Sequence, residues 1–101
     1  MDQIERIRQM EQMLDQAAAA ASQLVAALDQ YEQAQEAVRQ LSAYYGSEDW
    51  KKDYADDEAG LLPSDLKRGV LSEDAAWNVL ADCRQLNIRM LEIVAKILQQ
   101  T

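Results

Sequence analysis

The chain of 101 residues carries 18 acidic and 10 basic side chains, a formal net charge of −8, and 49% of it is hydrophobic. Histidine is absent, and there are one cysteine, one proline and three glycines. Those absences exclude Ser-His-Asp and Cys-His nucleophilic centres, His-containing metal sites and an intrachain disulfide framework.

A sequence pI near 4.3 argues against direct contact with nucleic acid or an anionic membrane, because no basic cluster could neutralise a run of phosphates. The expected form is a single helical domain spanning 1–101, soluble and cytoplasmic. No stretch approaches the roughly eighteen apolar residues of a membrane helix, and the N-terminus is charged. The acidity is concentrated. Residues 1–46 hold seven acids and three bases, residues 47–58 six and two, and residues 59–101 five of each, so the short central segment carries half the excess.

From Asp2 to Tyr45 there is neither glycine nor proline, and Ala, Gln, Glu, Leu, Met and Arg dominate. This composition predicts one long helix. Its apolar stripe, Ile7, Met10, Leu14, Ala17, Ala21, Leu24, Leu28, Tyr31 and Val38, repeats at three and four residues with only Gln35 polar. Ile4, Ala18 and Val25 widen one edge. The Ala17–Ala21 run buries little area and offers a site for a kink, the sequence leaving open whether the helix is straight or kinked there.

Gly46 stands where a left-handed cap ends the helix, and Ser47 then caps a short helix over about 47–56, with Glu48 and Asp49 in its first turn. Trp50 and Tyr54, four apart, share a face of it. Gly60 closes this segment, Leu61-Leu62-Pro63 reads as an extended link, and Ser64–Arg68 as one helical turn stopped by Gly69.

Ser72 is the expected N-cap of a last helix running over about 73–100, with Glu73 and Asp74 at its positive end and Leu71 stapled to Ala76. Leu80, Cys83, Asn87, Met90, Val94 and Ile97 form its seam, flanked by Val79, Leu86 and Ile93 on one side and Trp77, Leu91 and Leu98 on the other. Cys83 reads as an inert core thiol and Asn87 as a register-fixing polar group.

The fold class is therefore all-α: a helical bundle of two long antiparallel helices, about 2–45 and 73–100, bridged by one or two short ones. At about 1.5 Å per residue the first helix spans roughly 65 Å and the last roughly 42 Å, so Ile4, Ile7, Met10, Met13 and Leu14 are left uncovered. Either the first helix bends back or, as the favoured solution, these residues meet a second copy in a homodimer.

The strings Tyr44-Tyr45-Gly46-Ser47 and Gly69-Val70-Leu71-Ser72-Glu73-Asp74 resemble the hallmark motifs of DUF4298, a bacterial domain-of-unknown-function family. The resemblance extends over essentially the whole chain. Met1-Asp2-Gln3-Ile4-Glu5-Arg6 and Asp65-Leu66-Lys67-Arg68 fit the pattern as well, while Ala17–Ala21 departs from it. It implies a bacterial, cytoplasmic, all-helical protein and no particular activity.

Both strings pair a terminating glycine with a capping serine, which makes them helix corners. They would also gather Tyr44, Tyr45, Trp50, Tyr54 and Trp77 beside Asp49, Asp53, Asp56, Asp57 and Glu58. Aromatics with polar tips beside an acidic rim suit an unidentified protein partner, and a non-enzymatic adaptor or regulatory module is the leading expectation. One alternative is an acidic decoy for a nucleic-acid-binding protein, acting through Asp56, Asp57 and Glu58. Another is a small-ligand site lined by Tyr45, Trp77 and Arg84. The acidic segment lacks the spacing of a calcium loop, no glycine-rich phosphate loop occurs, and Lys67 with Arg68 is a weak candidate anion clamp. No catalytic residue, cofactor or metal site is expected.

Overall fold

The computed structural model describes residues 2–101, so Met1, the first residue of the N-terminal string, lies outside the described residues. It is all-α, with no strand among the described residues: α1 (Gln3–Gln33), α2 (Gln35–Tyr44), α3 (Glu48–Glu58), a 3₁₀ turn (Gly69–Leu71) and α4 (Ala75–Gln100). The chain divides into two units, Met1–Glu36 and Ala37–Thr101. No helix among the described residues is long and apolar enough to cross a membrane.

In the first unit, Asp2 caps α1 by accepting from the Glu5 backbone N–H at 2.7 Å, and an exposed Glu5–Arg8 pair spans the first turn at 3.1 Å. The helix runs unbroken through Ala17–Ala21. Small side chains thin the stripe but leave the backbone ladder intact.

The break comes at Ala34, whose ψ of −10° flattens the turn. The single helix expected over 2–45 is thus interrupted. Gln35 Nε2 donates to the Tyr31 carbonyl at 3.0 Å, the acceptor that an uninterrupted ladder assigns to the Gln35 backbone N–H. A side chain reaching into the ladder, rather than a glycine or proline, marks the interruption.

In the second unit, α2 ends at Gly46, which adopts φ +81°, and Ser47 Oγ accepts from the Trp50 N–H at 3.1 Å to start α3. α3 runs two residues past the expected end and closes in a Schellman cap. Gly60, at φ +72°, donates to the Asp57 carbonyl at 3.0 Å, and Leu61 donates to that of Asp56 at 2.9 Å.

Ser64–Arg68 forms a turn only, closed by Leu66 N–H to the Pro63 carbonyl. Gly69 does not stop a helix; it opens the 3₁₀ turn. Ser72 Oγ accepts from the Ala75 N–H at 3.1 Å, so it performs the expected capping, but regular helix starts two residues later than expected, at Ala75 rather than Glu73.

Among the described residues burial is confined to one place. Leu71 and Ala76, the pair expected to staple, are the buried residues, where the 3₁₀ turn packs on α4. Along α4, Leu80, Cys83 and Met90 are half-buried while Leu86, Val94 and Ile97 stay exposed. Cys83 therefore sits at a partly covered surface and not in the closed core expected for it. On α1, from Ile4 to Leu28, every large apolar side chain is exposed. A single chain leaves both apolar seams largely in water.

Candidate functional site

The end of α2, α3, the link and the start of α4 meet at an aromatic junction within the second unit. Tyr45 and Trp50 contact edge to face with centroids 5.1 Å apart. Trp50 and Tyr54, one helical turn apart, stack at 5.2 Å with 22° between planes. Such pairs contribute about 0.5–1.5 kcal/mol each beyond their burial.

Each aromatic tip is spent inside the chain. Tyr45 Oη donates to the Glu73 carbonyl at 3.1 Å, Trp50 Nε1 to the Val70 carbonyl at 3.0 Å, and Tyr54 Oη to Glu73 Oε1 at 2.9 Å. Tyr44 Oη donates to Asp53 Oδ2 at 2.6 Å. The two sequence strings are therefore bonded to one another, Tyr45 of the first to Glu73 of the second. Trp50 and Tyr54 of α3 reinforce that bond.

Charge follows the same rule. The hydrogen bond to Asp53, with partial burial and the nearby Asp53 and Asp49 carboxylates adding to it, pushes the Tyr44 phenol up to about 12. The bond to Glu73 raises that of Tyr54 in the same sense, helped by desolvation and by Glu58, Glu73 and Asp57. Arg68 is clamped by Asp57 through Nη1, while its Nη2 donates to the Pro63 carbonyl at 2.7 Å. Arg68 is thus engaged in pinning the link to α3, which removes it from the anion clamp considered with Lys67.

Of the acidic rim, Asp53 and Asp57 are engaged in these bonds, Asp56 is half-buried, and Asp49 and Glu58 are exposed. Among the described residues no three acidic or cysteine side chains converge as a metal site requires.

Trp77 stays out of the stack. It is 62% exposed and borders an open groove of about 430 Å³ lined by Ser42, Tyr45, Trp77, Leu80, Ala81 and Arg84. The three residues expected to line a ligand site, Tyr45, Trp77 and Arg84, do share this groove. Ile4, Ile7, Met10, Met13 and Leu14 belong to α1, in the first unit, and all five are exposed.

Sequence reasoning missed Glu73 as the junction's common acceptor and Arg68 as its staple. Helical periodicity reports only neighbours within a few residues, whereas Tyr54 and Glu73 lie 19 positions apart. The one signal was that both strings carry a capping serine, Ser47 and Ser72.

The architecture defines a small all-helical domain whose two sequence signatures form a single bonded joint. The sequence model of the family described as a domain of unknown function, DUF4298, matches residues 7–93. The chain belongs to that family. No curated protein and no solved structure matches it.

Proposed function

We propose that this chain is a non-enzymatic interaction module of the bacterial cytoplasm, an adaptor or regulator that offers apolar helix faces to other proteins. The carrying observation is the imbalance of burial: Leu71 and Ala76 are buried, while Leu91 is 73% and Leu98 68% exposed on α4. Exposed apolar stripes of this extent mark association surfaces. The aromatic junction supports the reading from behind. With their polar tips bonded internally, Tyr45, Trp50 and Tyr54 hold the segment that leads into α4 and Tyr44 holds α3, and Trp77 beside its groove is the aromatic left facing solvent.

This changes the choice of variant. Trp50→Ala removes a stack and a hydrogen bond from the joint and so alters the fold, whereas Leu91→Asp and Trp77→Ala act on exposed side chains. Affinity capture with wild type and Leu91→Asp as paired baits, each shown helical by circular dichroism, tests the proposal. A protein retained by the first and lost by the second supports it, and identical captures from both contradict it.

A further inference from the structure

The α1 stripe has a pattern beyond its periodicity. Ile7, Met10 and Leu14 are large, Ala17 and Ala21 small, and Leu24, Leu28 and Tyr31 large again, so side-chain size mirrors about position 19. Both halves carry net negative charge, the first as Asp2, Glu5, Glu11 and Asp15 against Arg6 and Arg8, the second as Asp29, Glu32 and Glu36 with no base. Arg6 and Arg8 lie toward one end, Asp29 and Glu32 toward the other, and no charged residue falls between Asp15 and Asp29. Apart from half-buried Tyr31, every residue of this stripe is exposed.

We infer that α1 pairs antiparallel with α1 of a second copy about a two-fold axis at the height of Ala19. A two-fold interface must be self-complementary, each residue i meeting j while j meets i. Placing residues equally far from position 19 opposite one another does this at each layer of the stripe. Ile7 faces the second copy's Tyr31, Met10 its Leu28, Leu14 its Leu24, and Ala17 its Ala21.

Large layers fill both ends, and the alanine layers let the helices approach at the centre. The helix dipoles oppose, and Arg6 and Arg8, which lie beside Asp2 and Glu5, are the bases that come to the height of the opposing copy's Asp29, Glu32 and Glu36. A parallel pair would gain an Arg6–Glu11 contact near its start. It would also gather Asp29, Glu32 and Glu36 of both copies at one end, where like charges repel. From Ile7 to Tyr31 the paired length is about 36 Å, more than three heptads, the extent at which such seams associate stably.

The inference rests on the interaction reading and names one partner for it. In a Cys83→Ala background, chains carrying Leu14→Cys and Leu24→Cys are mixed and oxidised. A crosslinked product from the mixture, with neither chain crosslinking alone, is expected. Met10→Cys with Leu28→Cys repeats the test at a second layer, in case one substitution disturbs the helix.

Crosslinking of Leu14→Cys alone overturns the antiparallel arrangement, and absence of a mixed product at both layers overturns the pairing altogether. Failure here leaves untouched a partner lost on Leu91→Asp. Conversely, a crosslinked pair with no such partner removes the interaction reading at α4 while the pairing stands.

Discussion

Gly46 and Gly69 occupy the two strings in equivalent-looking positions, yet the backbone separates them. Gly46 adopts φ +81° with open space where a Cβ would sit, so a side chain there meets conformational strain and no clash. Gly69 has ordinary φ and the same open space. Gly46→Ala is expected to lower stability by about 1–2 kcal/mol, and Gly69→Ala to leave it unchanged or raise it by about 0.4–1 kcal/mol. Urea unfolding followed by circular dichroism distinguishes them.

Tyr44 supplies a pH signature. Its phenol is raised to about 12 by the Asp53 bond, above the ordinary value of about 10. A folded-state value above the unfolded one stabilises fully below the unfolded value, and that contribution is lost as pH climbs to the folded one. Wild type should therefore lose stability between about pH 10 and 12. Tyr44→Phe should show a shallower alkaline decline and, at neutral pH, a loss of about 1 kcal/mol for the missing bond.

At the scale of elements, the joint is the part of the second unit held by specific contacts. Trp50 stacks on Tyr54, meets Tyr45 edge-on and bonds the Val70 carbonyl. Trp50→Ala should cost about 2 kcal/mol or more, against about 0.5 kcal/mol or less for exposed Trp77→Ala. Equal effects in denaturant titration would contradict the structural role assigned to the junction.

Much of this element layout was legible in the residues. The Ser47 and Ser72 caps, the terminating roles of Gly46 and Gly60, the paired burial of Leu71 and Ala76, and the helical identity of each long segment follow from local chemistry. What local chemistry could not show was where side chains reach across sequence. The interruption at Ala34 depends on a Gln35 side-chain bond that no propensity signals. The Ser64–Arg68 turn gives way to a link held by Arg68 and Asp57, and Glu73 serves Tyr45, just past α2, and Tyr54 of α3. The candidate site was foreseen as a cluster, since Tyr45, Trp50 and Tyr54 do come together. Its inward use of hydrogen bonds was not foreseen.

For the whole molecule, burial is the deciding quantity. Heptad patterning on both long helices led to the expectation of a closed bundle core, and one chain supplies buried positions only where the 3₁₀ turn meets α4. Burying apolar surface yields about 25 cal/mol per Å², so a stripe from Ile7 to Leu28 left in water forgoes a large stabilisation that a second copy would recover. The most direct measurement is the solution mass of the intact chain by light scattering across a concentration series. Pairing through α1 gives twice the 11.4 kDa chain mass, falling to the single-chain value for Leu14→Asp. A wild-type mass of one chain at every concentration would contradict it.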